Sequence, residues 1–278
     1  MKKTVYIIGI TISAFLIAFL IWLMVFIAQN GYGDPLFSFD FRGELHIEKE
    51  ETIEIGDIKN IKLDFVSSDV SVFTTDEDTC KVIQKSNKTL KEDEIFNTTK
   101  NNDTIEIKTK QKFQLFSFGF ISRYSQIEIY LPKTYVENLS INSISGNITT
   151  NSDLILNYLE AKTVSGDIIS NYLLNTQKYT FSTVSGDIKL DNLLGMGSMT
   201  TVSGDFRINT FNTLDNSTIK TTSGDINLSS VSIEKNLNIN TISGNVTLNF
   251  TPNANCKINY STVSGDISYS GDIILRQQ

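Results

Sequence analysis

Thr183-Val184-Ser185-Gly186-Asp187-Ile188 is one copy of a phrase that runs through the second half of the chain. Earlier copies are Ser143-Ile144-Ser145-Gly146-Asn147-Ile148 and Thr163-Val164-Ser165-Gly166-Asp167-Ile168. Later ones are Thr201-Val202-Ser203-Gly204-Asp205-Phe206, Thr221-Thr222-Ser223-Gly224-Asp225-Ile226, Thr241-Ile242-Ser243-Gly244-Asn245-Val246 and Thr262-Val263-Ser264-Gly265-Asp266-Ile267. Their central serines are spaced 20, 20, 18, 20, 20 and 21 residues apart. A fixed period of that size marks a stacked-repeat architecture.

Outward from each Ser-Gly, apolar residues alternate with polar ones: Tyr179, Phe181 and Thr183 before the corner, Ile188 and Leu190 after it. A period of two is a strand with one buried face. Twenty residues cannot hold an α-helix and two strands, and β-branched residues dominate. Each unit therefore reads as strand, Ser-Gly-Asp corner, strand, and a second turn rich in Asn, Asp and Ser. The fold class is all-β, a parallel β-solenoid whose coils bond to the coils above and below. At about 4.8 Å per coil, seven coils make a rod of roughly 35 Å. No single coil buries its own apolar face, so only the stack produces a core.

The corner glycines Gly146, Gly166, Gly186, Gly204, Gly224, Gly244 and Gly265 imply positive φ or a close approach to the next coil. The Thr column stacks inward or along the corner, where its hydroxyls can bond to one another or to backbone. Asp167, Asp187, Asp205 and Asp225 form a second column, with Asn147 and Asn245 at its flanks and Asp266 beyond. Carboxylates one strand spacing apart repel unless they are solvated, bonded to backbone N–H groups, or bridged by a hard cation such as Ca²⁺. Asn substitutes freely in the column, which suits turn bonding and weakens a cation site. The spacing also differs from the Ca²⁺-binding nonapeptide roll. No metal or cofactor site is assigned.

The chain of 278 residues is 40% hydrophobic, carries a formal charge of −7 and has only three prolines. Lys2 and Lys3 precede an uncharged stretch from Thr4 to about Ala28, long enough to cross a bilayer. The lysine flank keeps the N-terminus in the cytoplasm and the solenoid outside. A cleaved signal peptide is the competing reading, but Phe26-Ile27-Ala28 offers no small-x-small site. Residues 1–28 are thus an N-terminal transmembrane anchor touching lipid through residues 4–28, and 29–52 a linker with an aromatic strand. Residues 53–135 form a degenerate β region with loops or a short hairpin around Lys81-Val82-Ile83, and 136–278 the regular solenoid. Within the degenerate region, Ile61 to Val72 reads as a worn copy of the repeat, with Ser68 in place of Gly. Phe37-Ser38-Phe39-Asp40-Phe41 and Phe116-Ser117-Phe118-Gly119-Phe120 place three rings on one face each. They are read as a cap over the anchor-proximal end of the core, with a contact to the bilayer surface as the rival.

Cys80 and Cys256 are the only cysteines, and His46 is the only histidine. Two thiols and one imidazole cannot make a metal site. An even cysteine count permits a disulfide without requiring one, and the alternation Cys256, Ile258, Tyr260 fits a small core residue. A serine that recurs seven times is a corner residue rather than a nucleophile, and no catalytic residues are assigned. Scattered Lys and Arg on an acidic chain exclude nucleic acid.

The Ser-Gly-Asp/Asn repeat, the Ile61–Val72 lead-in and the segment Ile127-Glu128-Ile129-Tyr130-Leu131-Pro132 resemble the bacterial "putative adhesin" β-strand-repeat family. With an N-terminal anchor, the layout is similar to LiaG-type proteins of cell-envelope stress operons. The resemblance implies a parallel β-solenoid in the bacterial envelope and brings no catalytic residues with it. Thr222 in place of an aliphatic residue, Asn147 and Asn245 in place of Asp, and one coil of 18 residues depart from the family pattern. The expectation is a non-enzymatic, single-pass membrane protein that displays its solenoid to an envelope protein or surface ligand, in envelope stress response or adhesion. The alternatives are a scaffold that self-assembles through solenoid ends into a homo-oligomer and, further off, a glycan-active enzyme.

Overall fold

Each repeat closes into a coil of strand that bonds to its neighbours on both sides. The computed structural model describes residues 44–110, 124–213, 215–233, 235–251, 257–271 and 274–277. The apolar stretch from Thr4 to Ala28, both Phe-rich segments and Cys256 lie outside them. No helix among the described residues is long and apolar enough to cross a membrane.

The strands that lead into the corners form one parallel ladder. Its order is β6 (Thr104–Thr109), β2 (Asn60–Asp64), β8 (Asn138–Asn142), β10 (Leu154–Lys162), β11 (Ile168–Ser182), β12 (Ile188–Thr200), β14 (Ser217–Lys220), β16 (Asn236–Asn240), β18 (Lys257–Ser261) and β20 (Ile274–Gln277). The strands that leave the corners form a second, in the order β7 (Ser125–Pro132), β3 (Ser68–Thr75), β9 (Ile148–Thr150), β11, β12, β13 (Phe206–Thr213), β15 (Ile226–Ile233), β17 (Val246–Phe250) and β19 (Ile267–Ser270). A third, short ladder joins Leu154–Leu156, Leu174–Thr176, Asn192–Leu194, Thr210–Asn212 and Ser230–Ser232. A coil therefore has three strand segments, where alternation alone gave two. The third segment turns only two side chains inward, Leu174 and Thr176 in one coil, too few to stand apart from a turn.

Inward columns stack like on like: Ile148, Ile168, Ile188, Phe206, Ile226 and Val246 after the corner, and Ile141, Ala161, Phe181, Met199, Ile219 and Ile239 before it, all buried. Large and small residues interlock between coils. Tyr179 stacks on Phe181 with ring centroids 5.2 Å apart. Gly197 lies beside Tyr179 in the next coil, where a Cβ would come within 2.0 Å of the Tyr179 carbonyl oxygen. The coil of 18 residues loses one residue at each of two bends, since the register against the coil before it slips between Ser170 and Leu173 and again between Asn175 and Lys178. Gly195, at φ +143°, makes the second shortened bend.

At the N-terminal end the coils do not follow chain order. The worn copy β2–β3 is sandwiched between β8–β9 on one side and β6–β7 on the other. The outermost strands are antiparallel: β1 (His46–Glu54) on β4 (Thr79–Ser86), β4 on β7, and β5 (Phe96–Asn101) on β6. Asn102, with φ +51°, turns the β5–β6 hairpin. The segment read as loops and a short hairpin thus holds two full strands. Its charged residues sit on the outward rows, while Cys80, Val82, Gln84 and Ser86 point inward and are buried. The acidic stretch Glu48–Glu51 lies within β1 rather than in a linker. Among the described residues it is β1, β4 and β5 that cover this end.

Candidate functional site

The repeated corner gathers the residues singled out by the sequence. Its first row is the buried column Ser143, Thr163, Thr183, Thr201, Thr221 and Thr241. Thr163 Oγ1 donates to the Gly146 carbonyl one coil back, at 3.0 Å, and accepts the amide of its own Gly166, at 3.2 Å. Thr183 repeats this with Gly166 and Gly186 at 3.0 and 3.1 Å. One hydroxyl thus satisfies two backbone groups that the corner would otherwise strand. Thr221 and Thr241 keep the position, and their hydroxyls make no such bond.

The glycines answer to close approach. A Cβ at Gly204 would stand 1.8 Å from the Gly186 carbonyl oxygen. The same crowding holds at every repeat corner from Gly146 to Gly265, whereas positive φ occurs only at Gly244 and Gly265.

The Asp column is a ladder between coils. Asp167 Oδ1 accepts the Asp187 amide at 2.8 Å, Asp187 Oδ1 the Asp205 amide at 2.9 Å, and Asp205 Oδ1 the Asp225 amide at 2.9 Å. Asn147 and Asn245 take part through their amide oxygens, bonding the Asp167 and Asp266 amides at 2.8 and 3.1 Å. Asp225 Oδ1 accepts from Asn245 at 2.7 Å. The run begins one coil earlier than the repeat suggested, at Asp69, whose Oδ1 accepts the Asn147 amide at 2.8 Å. The signal for it was present, since Asp69 follows the Ser68 that replaces glycine. The carboxylates cap backbone amides as a turn reading requires, but the amide belongs to the following coil.

The second carboxylate oxygens meet cations that the repeat period did not reveal. Lys189 Nζ lies 2.9 Å from Asp187 Oδ2 and 3.3 Å from Asp167 Oδ2, and Arg207 reaches Asp205 Oδ2 at 3.1 Å. Burial pushes the Asp187 carboxyl up, but the Asp205 amide and the Lys189 ammonium outweigh it and hold the group below its ordinary value. Lys189 is in turn held above its usual value, first by its bond to Asp187. No cluster of three or more His, Cys, Asp or Glu residues able to hold a metal ion occurs among the described residues.

The remaining candidates lie at the N-terminal end and do not converge. Cys80 is buried on β4, and burial pushes its thiol up to about 12, away from thiolate chemistry. His46 Nε2 sits 2.5 Å from Glu48 Oε1 on the half-exposed start of β1. Glu128, nearly buried on the outward row of β7, is held by Lys85 Nζ at 2.6 Å and Tyr130 OH at 3.0 Å. Gln84 is buried: its Nε2 donates to the Glu94 carbonyl and its Oε1 accepts the Phe96 amide, both at 2.9 Å. These contacts fasten β5 and β7 to β4 and bring no acid and base to bear on a common point. An open groove of about 520 Å³ lies where the chain crosses from β7 to β8, lined by Leu131, Lys133, Tyr135, Asp153, Ile155 and Tyr172.

The family model described as Toastrack DUF4097 matches residues 58–275. None of the curated proteins compared matches the chain. Among solved structures, a "putative adhesin" from Bacteroides fragilis NCTC 9343 is similar at 12% identity, over 84% of this chain and 97% of that one, with a TM-score of 0.47. A "putative cell adhesion protein" from Clostridium sporogenes ATCC 15579 is similar at 12% identity, over 81% and 99%, with a TM-score of 0.38. A "putative lipid binding protein" from Parabacteroides distasonis ATCC 8503 is similar at 17% identity, over 83% and 96%, with a TM-score of 0.45.

Proposed function

From the premise that this chain belongs to the Toastrack DUF4097 family, we propose that it is a non-enzymatic envelope protein that holds its solenoid outside the membrane as a rigid binding surface. One observation carries the reading: the polar chemistry of the repeated corner is consumed by the fold. The threonine hydroxyls bond corner glycines from Thr163 to Thr201, and the Asx oxygens bond the next coil from Asp69 to Asn245. Residues used in this way stiffen a scaffold and are not free to bind a substrate or move a proton. What the solenoid offers a partner is the outward side of each coil, presented at a fixed spacing.

The anchor belongs to the same reading. Lys2, Lys3 and the uncharged stretch from Thr4 to Ala28 support a single span with residues beyond about Asn30 outside the cell membrane. There the protein serves adhesion or the envelope stress response. Protease added to intact cells tests the placement: digestion or release of the solenoid is expected, and full protection would overturn it. The enzymatic alternative is tested by incubating the protein with bacterial cell-wall glycans, where no release of reducing ends is expected.

A further inference from the structure

Val164, Val184, Val202, Ile242 and Val263 hold the same place at their corners, and each leaves from 42% (Val184) to 82% (Val263) of its surface in water. Ile144 holds that place at the first regular corner, and Thr222 stands between Val202 and Ile242. Backbone bonds fix the stack: the amides of Val164, Val184 and Val202 donate to the carbonyls of Ile144, Val164 and Val184 at 3.1, 3.1 and 3.2 Å. The result is an aliphatic ridge about 30 Å long at the usual strand spacing. Single exposed aliphatic residues are ordinary, but aliphatic residues at this place in six of seven successive coils, four of them in an unbroken run from Ile144 to Val202, are not. Nor does the corner require an aliphatic side chain there. Thr222 fills the position while the Ser223 amide still reaches the Val202 carbonyl at 2.8 Å.

Unlike charges flank the ridge. On the side that enters the corner, Lys162 and Lys220 are exposed; on the side that leaves it runs the Asp column. Lys162 is engaged by Glu160. Lys220 and Asp225 belong to one corner, yet neither forms an ion pair among the described residues.

We propose that this ridge is an interface with a second copy of the chain, the two solenoids lying side by side and parallel. A two-fold axis parallel to the solenoid sets each corner against its own copy and exchanges the flanks. Val202 then faces Val202, and Lys220 of each copy meets Asp225 of the other. An antiparallel pairing across the ridge would set one Asp column against the other, and that repulsion selects the parallel arrangement. A ridge about 30 Å long and 10 Å wide offers roughly 300 Å² per copy, against about 800 Å² for a standard free-standing interface. The pairing therefore depends on a raised effective concentration. In that respect it rests on the membrane-anchored reading given above, which also holds two copies parallel.

The test uses the full chain in lipid vesicles under mild oxidation, with Val202→Cys at the ridge and Asn171→Cys at an exposed bend away from it. The parent chain gives the background from its native cysteines. Covalent dimer from Val202→Cys is expected at ~10-fold or more above both comparisons, the gain that effective concentration brings to a matched pair of sites. In the Val202→Cys background, Lys220→Gln or Asp225→Asn should each lower the yield several-fold, and the two together no further than one alone. Asp225→Asn keeps the side-chain oxygen that the Asn245 amide uses, so folding is preserved. Equal yields at positions 202 and 171, or additive losses from the two charge changes, overturn the proposal. Flotation of the same vesicles reports anchoring separately. If the chain does not float, the anchored reading fails, and the same comparison in concentrated solution decides the interface.

Discussion

The corner stack and the N-terminal end both have to satisfy strand edges, and they do it in opposite ways. In the stack, one arrangement is copied per coil: Asp167 bonds the amide of Asp187 twenty residues on, and Asp205 that of Asp225. Each coil serves as the template for the next. At the N-terminal end, the side-chain bonds between strands are not copied from coil to coil. Lys85 meets Glu128 across 43 residues, and the Lys49 ammonium meets the Phe96 carbonyl across 47. Three antiparallel strands, β1, β4 and β5, close the ladders there and keep them from templating further chains. Repetition thus makes the rod, and departure from repetition ends it.

The widest gap between the two regions should appear at their glycines. Gly204→Val drives a side chain into the Gly186 carbonyl, 1.8 Å from where Cβ would sit, and both coils must move. A loss of about 3 kcal/mol is expected. At the other end, Gly56→Ala meets no atom within 4 Å and carries only the strain of its φ of +32°, about 1 kcal/mol. Ser203→Ala, at the exposed corner, should cost still less. Thermal melts of the full chain in detergent measure all three; equal shifts at Gly204 and Ser203 would mean that the corner tolerates a Cβ.

The same contrast decides what was legible in the sequence. Thr183, Gly186 and Asp187 could be read because each has its partner in a copy of itself, so the period carries the contact. The third strand of each coil escaped, since Leu174 and Thr176 are too short a run to show alternation. The full length of β4 and all of β5 escaped because their register is set by residues far away in the chain, and a charged, Asn-rich composition resembles loop. Lys189 and Arg207 were not legible as partners of the Asp column because they appear in two coils only. The exposed valines were in plain view in the repeated phrase, but alternation says only that they point away from the core.

Gln84 sharpens the comparison from the N-terminal side. Gln84→Met keeps the volume and removes the bonds to the Glu94 carbonyl and the Phe96 amide. The buried Phe96 amide loses its acceptor and the half-buried Glu94 carbonyl loses a donor, at a cost of about 2 kcal/mol. Because both backbone bonds join β4 to the Glu94–Phe96 segment, hydrogen exchange should quicken in Phe96–Asn101 while the amides of Asp187, Asp205 and Asp225, several coils away, keep their protection. Uniform loss throughout the chain would show that cap and stack unfold as one unit, contrary to this separation.

In the stack itself, Asp187→Ala removes an acceptor from the Asp205 amide and should cost about 1 kcal/mol, whereas Asp187→Asn keeps the oxygen and should cost less. Asn147 and Asn245 already show the amide doing this work. The two variants also separate by pH. The Asp187 carboxyl lies below its ordinary value in the folded chain, so its stabilising contribution is complete above the unfolded value of about 3.9 and is lost as pH falls through the lower folded value. The parent should therefore lose stability in acid more steeply than Asp187→Asn. Parallel acid limbs for the two proteins would remove the carboxylate from the account.

The smallest expected effect is that of calcium, and its smallness follows from the ladder's geometry. A Ca²⁺ ion needs six to eight oxygens at about 2.3–2.6 Å, several of them from carboxylates. From Asp69 to Asn245, one side-chain oxygen at each corner is occupied by an amide of the next coil, at 2.7 to 3.1 Å. The other oxygens of Asp167, Asp187 and Asp205 face Lys189 or Arg207. Asp225 and Asp266 have no basic partner among the described residues, but Asn245 stands between them in the ladder. Two coils separate them, about 9.6 Å, roughly twice the span that one ion can bridge with direct ligands. Millimolar Ca²⁺ should accordingly leave the melting temperature of the parent unchanged. A clear rise that disappears in the Asp187→Asn, Asp205→Asn double variant would show that the ladder exchanges its amide bonds for a cation, and would make the corner a binding site rather than a scaffold.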